Sequence, residues 1–264
     1  MTTVETRLGP LAYRRGGTPG PFGPILLLHG MGMSMTSYDD VRPDLEAAAE
    51  VIAIDFPGHG TSPARPGSLS VLDLADAIAD AIDRLGLPPL NIIGNSLGAM
   101  TAVELAATYP DKVRRLVLVG CPGWDGRARA TMLATAEERF RQAIESPPAT
   151  VESLAAIFTA PTERLVERVN EARRQSRDSL VQAGLAVYGH DTLGRAFSIR
   201  APTLLLVGDR DIVLPEQQRF LRAIPDVGFA LIENAGHYPQ VDDPARFVQT
   251  VLTFLTEGKS TPVS

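Results

Sequence analysis

The chain has 264 residues, 44% of them hydrophobic, and a formal charge of −6. That length and apolar share suit one large α/β domain or a domain with an insertion, and the mild acidity speaks against nucleic acid or an anionic membrane as partner. The one cysteine, Cys121, admits no intrachain disulfide, so a reducing cytoplasm is the expected setting.

Met1 to Pro10 has no apolar run fit for a signal peptide. No stretch approaches the roughly 20 apolar residues that span a bilayer. Thr3 to Leu8 alternates and predicts an edge strand, with Leu11 to Arg15 as its hairpin partner across Gly9-Pro10. Gly16 to Pro24 reads as a loop. Ile25-Leu26-Leu27-Leu28 is continuously apolar, the mark of a strand buried on both faces. It runs into His29-Gly30-Met31-Gly32. A helix is predicted over Tyr38 to Ala49, with Pro43 near its start. Val51 to Ile54 is a second buried strand, followed by the turn Asp55-Phe56-Pro57-Gly58-His59-Gly60-Thr61-Ser62.

Leu72, Ala75, Ile78, Ala79, Ile82 and Leu85 recur at helical spacing, and Gly86 with Pro88 closes that helix. Leu90 to Asn95 is again a strand, and Met100 to Tyr109 is helical. Gly94-Asn95-Ser96-Leu97-Gly98 joins them as Gly-x-Ser-x-Gly, in the strand-to-helix context of a nucleophile elbow. Such a turn puts Ser96 in strained, left-handed geometry, and glycines at 94 and 98 remove the side chains that would clash. Val113 to Gly120 is a further buried strand.

From residue 121 to 199 apolar strands vanish. Helical patterns with balanced charge replace them: Glu137, Arg141 and Glu145 share one face, as do Glu163, Glu167 and Glu171. This predicts a helical cap inserted at 121–199 into a core made of 1–120 and 200–264. The sheet pattern resumes at Thr203 to Val207, then Gly208-Asp209-Arg210-Asp211, a helix over Pro215 to Ala223, and a strand over Gly228 to Glu233. Asn234-Ala235-Gly236-His237 follows. Pro244 to Leu255 is the last helix, with Asp242 or Asp243 as its cap. The end from Glu257 to Ser264 is polar. Alternating strands and helices imply a mainly parallel sheet covered on both faces. Active groups in such sheets gather at the carboxyl ends of the strands. His29 to Gly32, Ser96, Asp209 or Asp211, and His237 are all placed there.

With Leu-His-Gly-Met-Gly, Asp-Phe-Pro-Gly-His-Gly-Thr-Ser, Gly-Asn-Ser-Leu-Gly, Gly-Asp-Arg-Asp-Ile-Val-Leu-Pro and Ala-Gly-His-Tyr-Pro-Gln in this order, the chain resembles the α/β-hydrolase superfamily. The resemblance spans nearly its whole length. It implies Ser96 as nucleophile, His237 as base and Asp211 as the acid, with Asp209 the alternative that geometry must decide. It also implies the backbone N–H groups of Leu97 and Met31 as oxyanion donors. His237 would take the Ser96 proton during attack on an acyl carbon, and Asp211 would fix the imidazole tautomer.

His29 and His59 read as loop-bonding histidines, and His190 as a residue of the cap. No metal-ligand spacing and no cofactor motif is present among the four histidines and one cysteine. Met31, Met33, Met35 and Met100 cluster around the implied site and serve either a greasy pocket or the core. Trp124 either lines that pocket or anchors the cap, and Tyr238 follows the implied base. The implied activity is hydrolysis of an ester, thioester or lactone of a small to medium apolar acid. Gly-Asn-Ser-Leu-Gly and His237-Tyr238-Pro239-Gln240 are also similar to carbon–carbon hydrolases of meta-cleavage products, although Ala99 stands where that group has a second glycine. A biosynthetic lyase with the same triad, or a ligand sensor on the same fold, would carry the same residues.

Overall fold

In the computed structural model, which describes residues 2–257, the apolar runs become the inner strands of one sheet. Its strands are β1 (Thr2–Val4), β2 (Leu11–Gly16), β3 (Ile25–Leu28), β4 (Val51–Ile54), β5 (Leu90–Asn95), β6 (Val113–Val119), β7 (Thr203–Gly208) and β8 (Val227–Ile232). They lie in the order β1-β2-β4-β3-β5-β6-β7-β8. The β1–β2 and β2–β4 pairs are antiparallel, and all others are parallel. Every residue of β3, β4, β5 and β7 is buried, which is why β3 and β4 read as unbroken apolar runs and β5 and β7 as mainly apolar ones. The predicted end from Glu257 onward lies outside the described residues from position 258.

Several predicted boundaries move by one to three residues, as at α3, which starts at Leu97, and two elements change more. The strand expected over Thr3 to Leu8 ends at Val4. Beyond it the Thr6 N–H donates to the Gly9 carbonyl at 3.1 Å, and the Gly9 N–H returns to the Thr6 carbonyl at 2.9 Å. Backbone groups satisfied within a turn are not free for a ladder. The helix expected over Tyr38 to Ala49 is split into a 3-10 turn, Met35–Tyr38, and α1 (Arg42–Ala48). Ser34 caps the turn, and the buried Tyr38 hydroxyl donates to the Leu28 carbonyl at 2.9 Å.

Helices cover both faces of the sheet. Leu26, Leu28, Ile92, Leu116 and Leu205 pack on α2 (Val71–Arg84) and α3 (Leu97–Thr108). Leu27, Ile93, Val117 and Leu206 face the other way, onto α1 and the last helix. A capping box of Ser70 and Asp73 starts α2.

Residues 121–199 hold α4 (Gly126–Glu145), α5 (Val151–Leu154), α6 (Glu163–Ser176), α7 (Leu180–Gly189) and α8 (Thr192–Ala196), and no strand. Gly184 lets α7 lie directly against the Phe140 ring of α4. Leu154, Phe158, Leu165 and Val169 form an apolar cluster that closes over Met33 and Tyr238. The remaining helices are α9 (Gln217–Ala223), α10 (Pro239–Asp242) and α11 (Pro244–Glu257).

The cap is tied to α3 by a buried carboxylate. Glu104 is 3% exposed. It accepts from Arg195 Nε at 2.8 Å and lies 3.6 Å from His190 Nε2. Removing Glu104 leaves the mostly buried His190 without its carboxylate, while Arg195, whose side chain is 40% exposed, stays solvated. Glu104→Ala is therefore expected to cost about 1–3 kcal/mol, read from the urea midpoint. Glu137→Ala, which breaks an exposed pair with Arg141 on α4, should leave that midpoint in place.

Candidate active site

The parallel register brings separate loops to one edge. Leu28 pairs with Gly94, Asn95 with Val119, Val119 with Leu206, and Gly208 with Ile232. The residues that follow each strand thus emerge side by side. They are the His29 loop, Ser96, Gly120, the Asp209–Asp211 turn and the His237 loop.

Ser96 sits between β5 and α3 with φ 53° and ψ −112°. For a residue with a side chain this is strained backbone. It is held because neighbours leave no alternative. The Ser96 N–H donates to the Val119 carbonyl at 2.9 Å. A Cβ at Gly98 would strike the Leu28 carbonyl, and one at Gly94 would strike the backbone of Gly98. The glycines of the elbow are there to let α3 descend onto β3.

Asp211 is 5% exposed and lies beside His237. Both of its carboxylate oxygens stand 2.9 Å from His237 Nδ1. The Nδ1–H therefore donates to the carboxylate, which leaves Nε2 as the nitrogen with a free lone pair. Asp211 also accepts the Val213 N–H at 3.0 Å. Asp209 does not reach the imidazole. Its carboxylate accepts the Ala235 N–H at 3.1 Å and fastens the loop ahead of His237. Between the two alternatives left open by the sequence, the geometry selects Asp211 as the partner of His237. Gly120, at φ 52°, makes room for this pair: a Cβ there would sit 2.7 Å from Asp211 Oδ2 and 3.0 Å from His237 Nδ1. No hydrogen bond within 3.5 Å joins the Ser96 hydroxyl to His237 among the described residues. Such contacts are often long before substrate binds.

The implied oxyanion donors are available. Among the described residues neither the Met31 N–H nor the Leu97 N–H meets an acceptor. Met33 N–H closes a turn onto the Gly30 carbonyl at 3.2 Å, with Gly32 at φ 72°. Gly30 itself passes close to the elbow. A Cβ there would lie 3.5 Å from Ser96 Cβ, 3.0 Å from Asn95 Oδ1 and 2.9 Å from the Tyr238 hydroxyl.

Met31, Met33 and Tyr238 line a cavity of about 590 Å³ beneath the cap. Met35 and Trp124 do not. Met35 is buried among the residues of the α1 side, and its N–H donates to Asp55 Oδ1 at 2.7 Å. Trp124 packs on Tyr188 of α7 with ring centroids 5.2 Å apart, so of its two readings the structure shows the anchor. Met100 is fully buried in the α3 core.

His29 and His59 sit in loop hydrogen bonds. The Phe56 N–H donates to His29 Nε2 at 3.0 Å, so Nδ1–H must donate to the Gly30 carbonyl at 2.8 Å. Full burial holds His29 down to about 4, and it holds His59 down to about 3 with help from the neighbouring His29. Burial also raises Asp55, which lies 4.0 Å from His29, while N–H bonds from Met35 and Thr61 oppose that shift.

Two positioning residues escaped the sequence reading. Asn95 Nδ2 donates to the Val119 carbonyl at 3.3 Å and to the His237 carbonyl at 3.0 Å, binding the elbow to the histidine loop. A polar residue ending an apolar strand was the available signal. Asp242 grips two loops at once. It accepts the Gly236 N–H at 2.7 Å and the Thr159 N–H at 2.9 Å. The His237 N–H donates to the cap carbonyl of Ile157 at 3.0 Å. Asp243, not Asp242, caps α11, through the Arg246 N–H at 3.0 Å. No spacing rule points to Asp242, because its partners lie far apart in sequence.

Two outcomes follow from this geometry. Asp242→Asn keeps one acceptor but turns an amide NH₂ toward the other N–H. It should lower kcat by about tenfold or more with a smaller change in KM, while Asp243→Asn leaves steady-state kinetics unchanged. Acid should also destabilise the fold through His29 and His59. Both have folded values below the ordinary 6.5, so the unfolded chain binds protons first. Their neutral burial contributes fully above pH 6.5 and is lost as pH falls toward 4. Each steepens the loss by up to about 1.4 kcal/mol per pH unit. Urea midpoints across that range should show it, with a shallower slope in His59→Gln.

A family model described as alpha/beta hydrolase fold matches residues 23–244. A 2-hydroxy-6-oxononadienedioate/2-hydroxy-6-oxononatrienedioate hydrolase of Klebsiella pneumoniae is 31% identical over 253 residues, covering 89% of this chain and 87% of that protein. An uncharacterised protein of Mycobacterium tuberculosis, Rv2715, is 28% identical and covers 92% of this chain and 78% of its own length. Among solved structures, the enol-lactonase of Burkholderia xenovorans LB400 superposes with a TM-score of 0.82 at 22% identity, over 97% of this chain and all (100%) of that one. An esterase of Thermogutta terrifontis reaches 0.81 at 24% identity, over 97% and 98% of the two chains. These last two likenesses concern the fold. With its helix-covered sheet, its elbow at Ser96 and a family match over most of its length, the chain belongs to the alpha/beta hydrolase fold family.

Proposed function

We propose that this hydrolase cleaves a carboxylic ester or lactone of a small to medium apolar acid through a Ser96–His237–Asp211 triad. The observation that carries the reading is the buried Asp211 carboxylate on His237 Nδ1, at the strand edge where Ser96 is held at positive φ. In this reading His237 Nε2 takes the Ser96 proton as the hydroxyl oxygen bonds to the acyl carbon. The carbonyl oxygen becomes an anion facing the N–H groups of Met31 and Leu97. One such donor is worth about 3–4 kcal/mol in other serine hydrolases. The N-terminus of α3 adds a favourable field. His237 then gives its proton to the leaving alcohol, and water repeats the sequence on the acyl-enzyme. An alcohol needs only that one proton to leave, and the triad has one acid–base group to supply it.

A second reading is hydrolysis of a carbon–carbon bond in a vinylogous diketone acid. It is favoured by relatives at 30–31% identity whose names carry that chemistry. It asks more of the site, because the one proton must be delivered to the departing carbon and not to an alkoxide oxygen. The two separate in one experiment: p-nitrophenyl esters of graded acyl length beside a diketone acid, with Ser96→Ala as control. Ester turnover that drops by about 10⁴-fold or more in Ser96→Ala supports the first reading. Turnover of the diketone acid but of no ester promotes the second, and full activity in Ser96→Ala overturns both.

A further inference from the structure

The cavity under the cap changes character from floor to rim. Its buried wall is apolar, with Met33, Leu154, Phe158 and Tyr238. Phe158 stacks on Tyr238 with centroids 5.0 Å apart, next to His237. Its exposed rim carries Arg173, Arg174 and Arg177, from the last turn of α6 and the turn that follows. The chain as a whole is acidic, at −6. Three guanidinium groups at the mouth of one apolar cavity reverse that sign where a ligand would enter.

The three are not equivalent. Arg174 Nε donates to Glu171 on its own helix at 3.1 Å. Arg177 reaches Glu145 at the end of α4 at 3.3 Å. Arg173 has no carboxylate within 4.0 Å among the described residues. Arg168, earlier on α6, is already taken by Asp40 at 2.7 Å. The rim therefore offers one unpaired fork, flanked by two cations whose charge is partly met.

We propose that the substrate is an amphiphilic acyl compound: an apolar segment occupies the cavity, and a carboxylate at its far end is received by Arg173. This rests on the acyl-hydrolase reading and adds the charge of the substrate to it. A planar guanidinium matches a carboxylate in paired hydrogen bonds. A single unpaired arginine balances one negative charge. Arg173 is on this account a specificity residue, not a member of the triad.

Monomethyl adipate and dimethyl adipate test this, since they differ in one charge and share the scissile ester. The wild-type enzyme should prefer the monoester. Arg173→Gln should raise KM for the monoester by about fivefold to tenfold with kcat within about twofold, and leave the diester unaffected. Arg173→Lys should restore part of the preference, and added salt should weaken it for the monoester alone. Arg173→Gln acting equally on both esters, or on neither, overturns the proposal. Calorimetric binding of adipate to Ser96→Ala, with and without Arg173→Gln, does not depend on turnover. Arg173-dependent binding without Ser96-dependent turnover would sustain the carboxylate site and defeat the hydrolase reading. Ser96-dependent turnover with no Arg173 effect would do the reverse.

Discussion

The close approach of α3 to β3 is the constraint on which the site depends. Gly98 lies against the Leu28 carbonyl so tightly that no side chain fits. That contact forces the chain to turn sharply after Asn95, and the turn leaves Ser96 at positive φ. Strain of this kind costs of order 1–3 kcal/mol and persists only where the surroundings over-determine it. Here they do. The Ser96 N–H is fixed by Val119, the Asn95 amide by Val119 and His237, and the helix below by an apolar core. The strained backbone of Ser96 and the start of α3 at Leu97 thus come from one packing contact.

The cap is joined to this frame through the histidine loop more than through the elbow. Ile157 accepts the His237 N–H, Phe158 stacks on Tyr238, and Asp242 holds Thr159 and Gly236 together. The backbone of His237 is thus bonded directly to the inserted helical segment, through Ile157. Glu104 with Arg195 and His190 anchors the other end of the cap to the helix that begins at Leu97. Both fastenings are polar and part-buried, so their geometry is more specific than apolar packing alone would give.

What the sequence disclosed follows the range of the interactions involved. β3 to β7 were legible because most of their positions are buried on both faces and are filled mainly by apolar residues. The elbow was legible because steric demand at positions 94 and 98 admits only glycine. The strand at Thr3 was overextended because alternation does not register that Thr6 and Gly9 bond to each other. Asp211 and Asp209 could not be separated by pattern. Each ends in a carboxylate on the same turn, and only the direction of the side chain sends one to His237 and the other to Ala235. Met33 and Met35 are two residues apart on one loop, yet one lines the cavity and the other enters the core. Between them Ser34 caps a 3-10 turn that rotates the chain.

The four histidines show how burial sorts identical side chains into different chemistry. His29 and His59 are fully enclosed, and desolvation disfavours their charged forms so strongly that neither is a useful proton carrier near neutrality. His29 also has both ring nitrogens occupied by backbone groups. His190 is drawn down by burial as well, and its nearest carboxylate, Glu104, is already claimed by Arg195. His237 alone has a carboxylate 2.9 Å from one nitrogen and a side chain 20% exposed, and its neighbour Tyr238 lines the cavity. A base must gain and lose a proton within one cycle, which requires a partner for the cation and a path to the reacting group. Among the described residues only His237 has a carboxylate within hydrogen-bond distance of its Nδ1.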